Sequence, residues 1–275
     1  MKPTGRKITT FLLASSQRSE SKLSRLILLL RHATVIEFFV IACCCWPCFA
    51  QDLVQNGGFE MTTGNTGSFQ MTLGTGGPYA PDDWTFSRYG NSNPIGCVTF
   101  PASTLSQTDA CGPNLGNSLW PGWTLSPNGG NFVLIDGDPN YAGILSQQVN
   151  VAGGQLYEVS FYQAASQFMQ YNGPTTEQWE VCLGTQCEFS TLMNNAPHGF
   201  VPWESQTLTF TASTTGNETL SFLSVGTPGG EPPVVLLDGV SMELATTTPE
   251  PGTLTLLIGG LGGLGIFRSR RWLKR

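Results

Sequence analysis

Between residues 51 and 245 the apolar side chains fall in short runs dominated by a two-residue alternation, and no window has both the length and the spacing of a helix. Tyr157, Val159 and Phe161 face one way while Glu158, Ser160 and Tyr162 face the other. Trp179, Val181 and Leu183 alternate in the same manner with Gln178, Glu180 and Cys182, as do Leu208 and Phe210 with Thr207, Thr209 and Thr211. Further strand-like runs fall at Phe132–Ile135, Ile144–Val149, Leu220–Leu223 and Val234–Glu243. Turn clusters such as Asp136-Gly137-Asp138-Pro139-Asn140, Ala152-Gly153-Gly154 and Pro228-Gly229-Gly230 separate them. Half-buried strands with polar outer faces pair as antiparallel sheets that must cover one another, so the expected fold is an all-β antiparallel sandwich. A body of this length can bury a core. Recurring aromatic and β-branched residues argue against disorder despite the abundance of Gly, Thr, Ser, Asn and Pro.

Charge divides the chain into three. Seven of the 13 basic residues precede position 32 and five follow position 267, leaving Arg88 alone between them. The span 51–250 has no lysine and 17 carboxylates, a formal charge of −16. Cationic ends around an acidic middle match the bias that keeps basic flanks cytoplasmic while the intervening region crosses a membrane. The acidic middle would repel phosphate backbones, so no nucleic-acid partner is expected, whereas divalent cations would be attracted. Residues 1–50 read as a signal peptide. A basic n-region precedes the apolar run Ala33–Ala50, which ends Cys48-Phe49-Ala50 before Gln51, a fit for signal peptidase. Two alternatives stay open. One is lipidation at Cys43 after Val40-Ile41-Ala42, and the other is an uncleaved anchor.

The C-terminal part, 246–275, has three features in order: Pro249-Glu250-Pro251, the glycine-rich apolar run Thr253–Phe267, and a basic tail over 268–275. The run would form a single, rather short transmembrane helix, at about 1.5 Å per residue against a core of ~30 Å. This tripartite tail resembles the PEP-CTERM sorting domain of Gram-negative bacteria. The resemblance implies passage through the inner membrane, recognition of Pro249, Glu250 and Pro251 by an exosortase, removal of the tail, and delivery to the cell surface or extracellular matrix.

The body has its own ordered signals. Leu53-Val54-Gln55-Asn56-Gly57-Gly58-Phe59-Glu60 is followed by Trp84, then Asn131–Gly137, Ser146-Gln147-Gln148-Val149, Gly154–Phe161, and finally Val235-Leu236-Leu237-Asp238-Gly239-Val240. This order resembles the galactose-binding-like jelly roll of carbohydrate-binding modules. The resemblance implies a jelly-roll sandwich over 51–245, an extracellular polysaccharide as partner, and a structural calcium ion, with Glu60 and Asp238 in the matching places. Such a hard cation takes oxygen ligands. Asp136, Asp138 and Asn140 share the spacing of a calcium loop, but Tyr141 and Gln147 stand where glycine and glutamate belong, and a tight turn is the better reading.

Cys97, Cys111, Cys182 and Cys187 remain after cleavage, and an even number in an oxidising compartment favours disulfides. Of three possible connectivities we expect the local ones, Cys97–Cys111 and Cys182–Cys187. A zinc site fits these spacings poorly. His198 is the one histidine of the body, no nucleophile elbow exists, and the missing lysine removes Schiff-base and Ser–Lys chemistry. The body is therefore read as non-catalytic. A glycan hydrolase using Glu177, Glu180 or Glu204 is one alternative, and a purely structural matrix protein is another. Sugar rings need flat apolar surfaces together with amide and carboxylate groups. Trp84, Tyr89, Trp120, Trp123 and Tyr171, all in Gly/Pro/Asn-rich context, are the candidate stacking residues.

Overall fold

The computed structural model describes residues 51–101, 111 and 118–245. The expected signal peptide, the Pro249-Glu250-Pro251 motif, the membrane helix and the basic tail lie outside the described residues. Among those described there is no helix, hence none long and apolar enough to cross a membrane.

Thirteen strands follow in order: β1 Phe69–Gln70, β2 Gly74–Thr75, β3 Thr85–Arg88, β4 Gly96–Thr99, β5 Phe132–Asp136, β6 Gly143–Val151, β7 Leu156–Gln167, β8 Thr175–Leu183, β9 Gln186–Phe189, β10 Met193–Asn195, β11 Val201–Thr211, β12 Gly216–Thr227 and β13 Pro233–Leu244. They form two sheets, one in the order β1-β4-β5-β13-β7-β11 and the other in the order β10-β8-β12-β6-β3-β2, with β9 also on β8. All pairings are antiparallel, and the result is a jelly-roll sandwich.

The alternation in sequence becomes alternation in burial. Along β8 the odd positions from Thr175 to Leu183 are buried and the even ones half-buried, and β12 behaves likewise from Glu218 to Gly226. By contrast β5 and the first half of β13 are buried on both faces, which is why they read as continuous apolar runs. Val133, Ile135, Val235 and Leu237 point into the space between the sheets. Phe132, Leu134, Val234 and Leu236 point outward into a second cluster that Leu119, Trp123 and Trp203 help to close.

The main core centres on Phe222. Trp84, Phe161 and Trp179 all place rings within 6.2 Å of it, and Phe59 packs on Trp84 at 5.5 Å. Both indoles find acceptors, Trp84 Nε1 donating to Asn56 O at 3.0 Å and Trp179 Nε1 to Leu236 O at 3.2 Å. Each ring fully withdrawn from water stabilises the fold by roughly 2–3 kcal/mol.

The N-terminal segment closes the structure by running along β13. Leu53 N donates to Met242 O at 2.8 Å, Val240 N to Gly57 O at 3.0 Å, and Met242 N to Asp52 Oδ1 at 2.9 Å. Contact at Gly57 is so close that a Cβ there would lie 1.8 Å from Val240 O. The buried Gln147 side chain clips this segment, accepting from Gln55 N at 2.7 Å and donating to Gln55 O at 2.9 Å.

Candidate functional site

The outer face of the second sheet carries a groove of about 310 Å³. Its floor comes from positions whose side chains alternate away from the core: Leu223 and Val225 on β12, and Glu180 on β8, directly opposite Leu223 in register. Phe189, paired with Glu180 across the β8–β9 hairpin, forms one wall. The other is Tyr89, just after β3, with Pro139 of the β5–β6 turn. Both rings stand proud, Phe189 54% and Tyr89 50% exposed. A disulfide between the directly opposed Cys182 and Cys187 staples the hairpin that carries Phe189, and a second joins Cys97 to Cys111. Both local connectivities are thus present.

Around the groove the same face is lined by uncharged hydrogen-bonding side chains held in cross-strand pairs. Gln148 Nε2 donates to Thr219 Oγ1 at 2.6 Å, the Thr176 and Thr227 hydroxyls lie 2.7 Å apart, those of Thr75 and Thr85 2.9 Å, and Asn150 Nδ2 donates to Asn217 Oδ1 at 3.1 Å. Two exposed aromatic rings beside a floor with a single acid, set in a field of hydroxyls and amides, offer apolar faces to sugar rings and hydrogen bonds to their hydroxyls.

Of the five candidate stacking residues, Tyr89 is the one in this groove. Trp84 must be corrected: it is fully buried in the core, because its indole turns inward to bond Asn56 O, and no ring face is open. Trp120, Trp123 and Tyr171 gather on the opposite side of the sandwich, over the outward cluster of the first sheet. Trp120 stacks on His198 at 3.8 Å and donates its indole N–H to Tyr171 O at 2.9 Å. Trp123 meets Phe132 edge-on at 5.6 Å. Phe189 and the floor residues Leu223 and Val225 escaped notice in the sequence. The signal that could have found them is the outward parity of Leu223 and Val225 within the β12 alternation, where solvent-facing apolar residues are unusual.

The three carboxylates considered for hydrolysis do not converge. Glu177 and Glu180 lie three positions apart on β8 and so point to opposite faces, Glu177 into the interior. Glu204 belongs to the other sheet, accepting from Gln163 Nε2 at 2.7 Å.

Asp238 and Glu60 approach one another where β13 is bulged between Asp238 and Ser241. Gly239 there has φ +59°, and Phe59 on the facing segment has φ +59°. Asp238 Oδ1 accepts from Gly239 N at 2.6 Å and Asn128 Nδ2 at 3.3 Å, while Oδ2 is buried without a partner. Burial pushes this carboxyl up to about 7, and the neighbouring Glu60 charge adds to the rise. Glu60 Oε1 accepts from Asn131 N at 2.6 Å. An orphaned buried oxygen beside a second carboxylate fits a hard cation such as calcium, which Glu60 and Asp238 would hold. The Asp136–Asn140 segment is a tight turn: Asp136 Oδ1 accepts from Asp138 N, and Asp138 Oδ1 from Asn140 N, each at 2.8 Å.

Known structures with similar folds include a carbohydrate-binding module, TmCBM61, solved in complex with beta-1,4-galactotriose (15% identity, 71% of this chain and 99% of that one, TM-score 0.40). Others are the CBM22-1 xylan-binding domain from Paenibacillus barcinonensis Xyn10C (13% identity, 68% and 99%, TM-score 0.31) and the K1 cleaved adhesin domain of Lys-gingipain from Porphyromonas gingivalis W83 (12% identity, 66% and 100%, TM-score 0.37). No curated protein matches the sequence. The tail is identified more directly: residues 247–271 match the PEP-CTERM protein-sorting motif, which marks this chain as an exported protein processed by an exosortase.

Proposed function

We propose that this is a non-catalytic surface or extracellular-matrix protein whose second sheet binds a neutral polysaccharide in the Tyr89–Phe189 groove. The observation that carries the reading is a groove lined by two half-exposed rings, Tyr89 and Phe189, together with Leu223, Val225 and Glu180, within a sheet face of hydroxyl and amide side chains. Glu180 is the one charged side chain lining the groove, and Arg88 beside Tyr89 is the single cation of a body of net charge −16, so uronate or sulfate polymers would meet net repulsion. Signal peptidase and exosortase act during export, and the polysaccharide is the partner afterwards. A calcium ion between Glu60 and Asp238 would pin the N-terminal segment to β13, a structural task remote from the groove.

Affinity electrophoresis of the full chain through gels containing neutral polysaccharides tests this reading. Retardation by at least one neutral polymer is expected, and Tyr89→Ala and Phe189→Ala should each weaken it about tenfold, the effect of losing one stacking contact of about 1.4 kcal/mol. Folded protein that no polymer retards would leave a structural matrix role in its place.

A further inference from the structure

The loop joining β7 to β8 contains Asn172-Gly173, one of three Asn-Gly steps in the described body, the others being Asn56-Gly57 and Asn128-Gly129. We propose that Asn172 is a self-modification site, at which its side-chain amide cyclises onto the Gly173 nitrogen and then opens to an acid, assisted by His198 and Glu231.

Three contacts set up the reaction. His198 Nε2 lies 2.7 Å from Asn172 Oδ1. The oxygen can only accept, so the ring nitrogen carries the hydrogen and polarises the Cγ carbonyl. Glu231 Oε2 accepts from Gly173 N at 2.9 Å, the nitrogen that must attack. The same oxygen accepts from Asn172 N at 3.1 Å, and Gln167 Nε2 holds Gly173 O at 3.0 Å. A Cβ on residue 173 would lie 2.9 Å from the Glu231 carboxyl carbon, so glycine is what admits the carboxylate this closely. His198 is held in place by stacking on Trp120 at 3.8 Å. An electrophile assisted from one side and a nucleophile facing a base on the other are the two elements of acid–base catalysis.

The step balances with water alone. As the Gly173 nitrogen bonds to Asn172 Cγ, its proton passes to Glu231 and the charge growing on Oδ1 is met by the His198 N–H. The Cγ–Nδ2 bond then breaks, and the amine leaves as ammonia with the proton returned from Glu231. Water opens the cyclic imide at either carbonyl, leaving aspartate or isoaspartate at position 172. Asn172 is exposed, so water has access.

The other two steps lack this arrangement. Asn56 Nδ2, the leaving group there, is tied to Met61 O at 2.9 Å and Asp82 O at 2.8 Å. The Gly129 nitrogen donates to Ser126 O at 3.0 Å, a carbonyl that cannot take the proton.

The full chain, aged at neutral pH and then peptide-mapped by mass spectrometry, provides the test, with the denatured full chain as reference. In the denatured chain all three dipeptides should convert alike. In the folded protein Asn172 should convert at least about a hundredfold faster than in that reference, the low end for positioned acid–base groups, while Asn56 and Asn128 convert more slowly. Glu231→Gln and His198→Ala should each return Asn172 to the reference rate or below. Slower conversion of Asn172 in the folded than in the denatured chain would overturn the proposal without any variant. So would folded variants that age at the parent rate.

Discussion

Glu177 offers the sharpest test of how the interior is built. Its side chain points between the sheets from β8, fully buried, next to Thr175 on its own strand, with Met193 on the paired β10 and Gly226 on β12 directly opposite, and Asn195 of β10 opposite Thr175. Oε1 accepts from the Thr175 hydroxyl, whereas Oε2 has no partner. Burial raises the carboxyl from its ordinary 4.5 to about 8, the Thr175 hydrogen bond opposing the shift. A carboxyl raised on folding binds its proton more tightly in the native state, so its stabilising effect is complete below about pH 4.5 and drains away as pH climbs through about 8. At about 1.4 kcal/mol for each unit, the loss is on the order of 4–5 kcal/mol, less whatever water entering the site recovers. Glu177→Gln keeps the acceptor for Thr175 and cannot ionise. Urea unfolding of both proteins with disulfides intact, from about pH 5 to about pH 9, should show the wild type losing several kcal/mol more than the variant, with the two within about 1 kcal/mol at the acid end. Other buried acids shift both curves equally, so the difference isolates this group. Parallel curves would mean that Glu177 is not held neutral in the folded protein.

Three further outcomes separate core, staple and cation site. Trp84→Ala should cost about 3–5 kcal/mol in chemical unfolding, as a large cavity in the core requires, while Tyr89→Ala stays within about 1 kcal/mol of wild type and loses only polysaccharide retardation. Replacing Cys182 and Cys187 together by serine frees a very short loop, worth about 2 kcal/mol, and by loosening the hairpin should reduce retardation through Phe189. Calcium at about 100 times its dissociation constant should add about 2.7 kcal/mol to unfolding free energy, an increment reversed by chelator and absent in Asp238→Asn.

The strands were legible because their two-residue period survives into burial: β6, β8 and β12 each bury every second residue over most of their length. Continuous runs such as Phe132–Ile135 were equally visible, although not the reason for them, since the cover over their outward face comes from Leu119, Trp123 and Trp203, distant in sequence. β1 to β4, two to four residues each, have no counterpart among the strand-like runs of the sequence, because so short a run holds no period to detect. The placement of Trp84 and Trp120 was hidden for a related reason. Local polarity suggested exposure for Trp84 and Trp120, but exposure is decided by what folds over a ring. The Asn56 carbonyl draws one indole into the core, and His198 covers a face of the other.

Composition carries one consequence further than any motif. A body with one arginine and no lysine has almost nothing with which to neutralise an acid it buries, and Arg88 sits exposed at the end of β3. Asp136, Glu177 and Asp238 are nonetheless fully buried, and in all three desolvation is the leading cause of a raised carboxyl, to about 7, about 8 and about 7. Each keeps one oxygen without a hydrogen-bond partner. Buried charge without a counter-ion is not sustained, so each such group must take up a proton or a metal ion. The proton suffices at Glu177, where no other acid contributes to the rise. At Asp238 the Glu60 charge raises the carboxyl further, and a divalent cation bound there would relieve both acids at once. The same sparsity of cations that fits export and the proposed neutral polysaccharide therefore leaves this interior more stable towards acid, with one place on β13 where a bound calcium ion would do what protons must otherwise do.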